Sequence, residues 1–188
     1  RPLHADFMQP IELPQEARLG DRRVVYFPGS TIGNFEQSEQ HGVLERFSML
    51  AGEDGLLLVG FDLVKDIPQM ERAYNDAAGV TAEFNLNVID RLGSDFDIGI
   101  DREDFEFLAE WNDDLQAIVS YLYTLREVRI ELPGGTLALH RGDRIRTEES
   151  HKYTSERIER LASKCRLRVV DEWRDANDHF AVVLLSRS

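Results

Sequence analysis

After the short apolar run Val24-Val25-Tyr26-Phe27, the chain reads Pro28-Gly29-Ser30-Thr31-Ile32-Gly33-Asn34-Phe35. Two glycines, two hydroxyls and an amide are gathered in that stretch. Glycine permits left-handed backbone and close approach, which leaves amide N–H groups able to meet a ligand. Asn34 carries both a donor and an acceptor, so it can hold a carboxylate or an amine without adding charge. A nucleotide-type phosphate loop is excluded, because Asn34 and Phe35 stand where Lys and Ser or Thr should follow the second glycine. The dinucleotide pattern also fails, for want of a third glycine three residues further on. A tight turn capped by Ser30 and Asn34 accounts for the same residue types, so the loop by itself leaves both accounts open.

A second candidate is the pair Glu148 and Ser150. Polar residues alternate from Ile145 to Tyr153, and two residues apart on a strand means one shared face. A carboxylate beside a hydroxyl suits an imidazole, which presents two distinct nitrogens. The plainer account is a solvated strand face shared with Arg146 and Lys152. His41, His140, His151 and His179 are scattered without metal-ligand spacing, so no metal site is expected and they read as surface or structural residues. Cys165 reads as a small buried residue, and a lone cysteine rules out an internal disulfide framework. Trp111 and Trp173 are expected in the core or between lobes.

These residues need elements to place them. Val24–Phe27 suits a buried strand, a helix is expected over about 36–51 from Val43, Phe47 and Leu50, and Leu56–Phe61 reads as a second buried strand. Strand, helix and strand with short links predict a parallel βαβ unit. A helix is expected over about 68–92, with Thr81, Phe84 and Val88 sharing a face. Asp101 and Asp104 read as the cap and acidic first turn of a helix ending near Trp111. Alternation of Val128, Ile130 and Leu132, then Pro133-Gly134-Gly135, predicts a hairpin returning through Thr136–His140. A helix from Ser155 to Lys164 and two antiparallel terminal strands, Leu167–Trp173 and Phe180–Leu185, complete the reading. The expected organisation is α/β: a core from 1–64, an inserted α+β lobe over 65–151, and a return to the core over 152–188. Ligands of open α/β sheets lie beyond the strands' carboxyl ends, which points to the loops after Phe27 and Phe61.

The chain has 188 residues, 42% hydrophobic and 30% charged, the profile of a folded globular protein. Its net charge of −13 argues against a nucleic-acid surface and leaves cationic or small neutral partners easier to accommodate. No apolar run approaches the ~20 residues of a membrane span, and no membrane partner is expected. The opening Arg1 and short polar stretch suggest the C-terminal portion of a longer protein.

Phe27–Phe35 resembles the signature of the histidine-specific, S-adenosylmethionine-dependent methyltransferases, the family that makes trimethylhistidine in ergothioneine biosynthesis. Ala73-Tyr74-Asn75-Asp76, then Gly79-Val80-Thr81-Ala82-Glu83-Phe84-Asn85, then Thr147-Glu148-Glu149-Ser150-His151-Lys152-Tyr153 resemble it in the same order. The likeness runs from about Asp6 to the end. It implies part of a Rossmann-like class I methyltransferase core with an inserted substrate-binding lobe, and a cytoplasmic N-methyltransferase acting on the α-amine of histidine. S-adenosylmethionine is the implied methyl donor. Carried over residue by residue, Asn34 grips the amino-acid end with Gly29 and Thr31 beside it, and Tyr74 partners the carboxylate. Tyr74, or a bound water, is also the candidate for taking the amine's proton. Glu148 and Ser150 recognise the ring, Thr81 and Phe84 line the pocket, and Asp6 with Phe7 meets the adenine end of the cofactor. Two features depart from the family. No glycine-rich turn precedes Asp6, and Gln116-Ala117-Ile118-Val119 stands where the family tends to an Arg-Ile-Glu-Met-like run. A methyltransferase of another small amine, or a non-catalytic binding domain, are the alternatives. An exposed sheet edge is expected to favour self-association.

Overall fold

The computed structural model describes residues 2–14, 22–132 and 134–188, so Pro133 of the expected hairpin turn lies outside the described residues. The chain divides into two compact units, Arg1–Val64 with His151–Ser188, and Lys65–Ser150.

The first unit is built on a four-stranded sheet. Strand β1 (Val24–Phe27) lies parallel to β2 (Leu56–Asp62), joined by α1 (Gln37–Ala51) as the sequence predicts. α1 opens with a reciprocal capping box between Glu36 and Glu39. It buries Val43, Leu44 and Phe47, with Gln40 and Ser48 the polar exceptions. The remaining elements of this unit follow the lobe in sequence: a helix at Ser155–Lys164, then strands at Leu167–Arg174 and Phe180–Arg187. The last strand pairs antiparallel with both β2 and its own predecessor. Leu57, Val59 and Phe61 face Leu185, Val183 and Ala181 across the β2 register, and all six are buried against the helices. Burying each of the five larger side chains contributes about 1.5–3 kcal/mol, which makes this layer the floor on which the loop after β1 rests. The other face is less covered: Tyr26 is 66% exposed, and among the described residues β1 pairs on one side only. Trp173, expected in the core or between lobes, is 49% exposed on the edge strand.

The second unit differs from expectation in two places. The single helix over 68–92 is two: α2 (Ile67–Tyr74) and α3 (Val80–Phe96). The break is chemical. Asn75 turns its side chain away to another strand, and Asp76 accepts the N–H groups of Val80 and Thr81 to start a new helix. Gly79, at φ 71, supplies the left-handed residue between them. The helix expected after Asp101 is instead a one-turn 3₁₀ segment, capped by Asp101, leading into β3 (Phe105–Asn112). Alternate burial of Phe105, Phe107 and Ala109 gives period 2, and the acidic cluster belongs to the turn before the strand. β3 pairs antiparallel with β4 (Ala117–Thr124), and β7 (Arg144–His151) completes a three-stranded sheet. The hairpin β5–β6 (Val128–Leu132, Gly135–Leu139) forms as read. The last helix and strands are hereafter α4, β8 and β9. No helix among the described residues is long and apolar enough to cross a membrane.

Candidate functional site

In the first unit, the loop after β1 is a short 3₁₀ turn, Thr31–Asn34, entered through two left-handed residues, Gly29 (φ 77) and Ser30 (φ 56). Ser30 is non-glycine in that conformation, and its hydroxyl is fixed by the N–H of Asp62 at 2.8 Å. Asp62 also holds the buried Lys152 ammonium at 2.8 Å, so the carboxyl end of β2 ties the loop to the segment after β7. Gly33 has no room for a side chain: a Cβ there would stand 2.8 Å from the His151 carbonyl oxygen. Gly29, Thr31 and Asn34 therefore share one anchored loop, with the Asn34 side chain exposed beyond it. Phe7 joins this group from outside. Its ring lies 5.6 Å from Phe27 and 6.1 Å from Phe35, the two residues that flank the loop. Asp6, next to it, accepts the Met8 N–H at 2.8 Å in a surface turn.

In the second unit the structure brings together two residues 76 positions apart. The Tyr74 hydroxyl donates to Ser150 Oγ at 2.7 Å. Glu148 lies two residues earlier on β7, hence on the same face as Ser150, and is half-buried. Thr81 and Phe84 lie on α3, the first half-buried and the second 73% exposed.

Several residues to which the sequence reading gave no role place these groups. Asn75 both donates to and accepts from the backbone of Ala109, at 2.8 and 2.9 Å, so its amide extends β3 like a strand neighbour. Glu71 accepts the Trp111 N–H at 3.0 Å. Together they pin α2 on β3 and fix the base of Tyr74. Asn85, buried on α3, accepts from Thr147 at 2.6 Å and so ties that helix to β7 just before Glu148. The N–H groups of Thr81 and Val80 hold the Asp76 carboxyl below the usual carboxylate range.

The whole chain matches one family. Residues 1–187 fit the model described as "Histidine-specific methyltransferase, SAM-dependent". The chain belongs to that family. Among curated relatives, the histidine N-alpha-methyltransferase of Mycolicibacterium smegmatis is 34% identical over 168 residues, covering 88% of this chain and 52% of that protein. The enzyme of the same name from Mycobacterium tuberculosis is 30% identical, covering 92% and 54%. Ergothioneine biosynthesis protein 1 of Neurospora crassa is 29% identical, covering 90% of this chain and 19% of its own length. The chain thus spans about half the length of the two mycobacterial relatives it matches.

The first unit of this methyltransferase-family chain, with β1 and β2 parallel and an antiparallel β8–β9 pair closing the sheet, agrees with a class I methyltransferase core. The chemistry of the donor set fits the family's methyl donor at one end: the Asp6 carboxylate suits an exocyclic amine, and the part-exposed Phe7 ring suits a base face. Among the described residues no cluster of His, Cys, Asp and Glu could hold a metal.

Proposed function

We propose that the protein transfers a methyl group from S-adenosylmethionine to the α-amino group of histidine, in the cytoplasm. The observation that carries this reading is the Tyr74–Ser150 hydrogen bond beside Glu148, which gathers polar groups suited to an amino-acid side chain. When bound, the donor supplies an electrophilic methyl on a sulfonium. What the protein must supply is alignment of a neutral amine. Asn34, exposed on its anchored loop, offers donor and acceptor to the amino-acid end. Of the two hydroxyl hydrogens on Tyr74 and Ser150, one is consumed between them. The Glu148 carboxylate is suited to accept from the ring N–H, with the Ser150 hydroxyl beside it on the same strand face. The oxygen of Tyr74 then presents acceptor character to the ammonium or to a water that takes its proton.

The experiment is methyl transfer by the complete gene product to histidine, phenylalanine and leucine, in wild type and in Glu148→Ala with Ser150→Ala. A site built for hydrogen bonds rejects an apolar analogue by ~10⁴-fold or more, and the double variant should erase most of that margin. Wild-type protein without a preference for histidine would replace this reading with that of another small amine. Absence of any methyl transfer would favour a binding domain.

A further inference from the structure

Gln40 is a polar side chain on the buried face of α1, 2% exposed among Val43, Leu44 and Phe47. Burying an amide costs free energy unless its hydrogen bonds are made, and an apolar residue would pack there at least as well. Its partners explain it. Gln40 Nε2 donates to the Phe35 carbonyl at 2.8 Å, and Gln40 Oε1 accepts from the Tyr153 hydroxyl at 3.0 Å. The amide can face only this way round: the Phe35 carbonyl is an acceptor only, so Nε2 must meet it and Oε1 must meet the phenol.

Tyr153 is itself immobilised. Its backbone donates to the Asp62 carbonyl at 2.9 Å and accepts from the Val64 N–H at 3.0 Å. Its ring meets the Phe61 ring edge-on at 4.9 Å, with the Arg157 guanidinium 5.1 Å over its face. Burial raises the phenol's pKa well above its ordinary value, so it stays a donor throughout the physiological range. Three hydrogen bonds therefore run from the end of β2, through Tyr153 and Gln40, to the residue immediately after Asn34. On the other side of Asn34, Gly33 donates to the Ser30 carbonyl at 2.8 Å and abuts the His151 carbonyl. Both chain neighbours of Asn34 are held while its side chain stays exposed. An exposed amide on a fixed backbone is pre-organised for a ligand, which lowers the ordering cost of binding.

We infer that Gln40 and Tyr153 are positioning residues that hold Asn34 in place for the amino-acid substrate; the proposal deepens the methyl-transfer reading and rests on it for the ligand. The test uses the complete gene product with Gln40→Met, Tyr153→Phe, Asn34→Ala and the Gln40→Met/Asn34→Ala double variant. Gln40→Met and Tyr153→Phe should each raise KM for histidine by about 5–30-fold, leaving kcat within about threefold and the dissociation constant for S-adenosylmethionine unchanged. In the Asn34→Ala background the Gln40→Met effect should fall below about threefold, because the residue acts through Asn34. Undiminished effects in that background, or equal losses of donor affinity, would overturn the proposal. Should Gln40→Met fail to fold, Tyr153→Phe removes a single oxygen and reads the same relay. Backbone order at Asn34 and Phe35, from nitrogen relaxation, separates this proposal from the functional one: the order parameter should fall from about 0.85 to below about 0.7 in both variants. If it falls while wild type leaves histidine unmethylated, the relay stands and the substrate reading fails. If it is unchanged, the relay is refuted whatever the activity.

Discussion

Gly33→Ala is the smallest change that should disturb the loop, and its cost can be worked from the geometry. The added methyl would stand 2.8 Å from the His151 carbonyl oxygen and 3.5 Å from the His151 nitrogen and Ser30 Oγ. A carbon and an oxygen in ordinary contact are roughly half an ångström further apart than the first of these, so one side must yield. Neither yields easily. The His151 segment is held by Tyr153 pairing with Asp62 and Val64, and by the Lys152–Asp62 ion pair, whose ammonium is 1% exposed. Gly33 is held by its N–H to the Ser30 carbonyl, and Ile32 beside it is fully buried. Overpacking of this kind costs about 1–3 kcal/mol. Backbone strain plays no part, since Gly33 is not among the positive-φ residues. Urea unfolding should show it, with Trp111→Phe as background so that Trp173 alone reports the first unit. With a slope of about 1–3 kcal/mol per molar, the midpoint should fall by roughly 1 M while the slope is unchanged. A loss under about 0.5 kcal/mol would mean that the loop does not rest on the His151 carbonyl, and the account of how Asn34 is presented would fall with it.

Two further outcomes follow from ionisable groups to which no substrate contact is assigned. Burial, with the charge of Glu45 adding to it, pushes the Cys165 thiol up to about 11. At pH 8 a disulfide reagent should therefore label native protein at least about a hundredfold more slowly than unfolded protein, and rates within tenfold would contradict the burial. The Asp76 carboxyl is depressed by the amides of Thr81 and Val80, so its contribution to stability is present above its unfolded value near ~3.9 and is lost as pH falls through its lower folded value. Thermal melts of wild type and Asp76→Asn should differ at neutral pH and converge below about pH 4; a gap that persists undiminished at pH 3 would show that the charge at this cap is irrelevant.

Elements with one uninterrupted pattern were legible from the residues. Leu56–Phe61 is continuously apolar because alternate members face β9's buried row while Leu56 and Leu58 are half-covered and Gly60 is buried, and α4 shows Ile158, Leu161 and Ala162 at helical spacing. The failures have local causes. Ala77 and Ala78 are strong helix formers and conceal the break that Asn75, Asp76 and Gly79 make between α2 and α3. In β3, Leu108 sits on the exposed face at 41%, which blurs the alternation of Phe105, Phe107 and Ala109, while the preceding acids imitate a helical first turn. The first half of β4 has no alternation to find, since Ala117, Ile118, Val119 and Ser120 are all buried. Nor has the relay through Gln40 any spacing signal: Gln40 and Tyr153 are 113 residues apart.

The motifs that carried the family likeness mix two kinds of residue, and the structure separates them. Along β7, Glu148 and Ser150 share one face while Glu149 and His151 share the other. Glu149 pairs with Arg146, and His151 Nδ1 lies 3.1 Å from Arg157, which can only donate, so that nitrogen accepts and the ring proton belongs on Nε2. Lys152 and Tyr153 then run on into the contacts beneath the loop after β1. Tyr74, Asn75 and Asp76 divide the same way: the first presents a hydroxyl, the second docks α2 on β3, and the third starts α3. A run that must both face a ligand and brace its own backbone has nearly every side chain specified. That double demand explains why these short stretches were so distinctive in the sequence, while Gln40, which only braces, was silent.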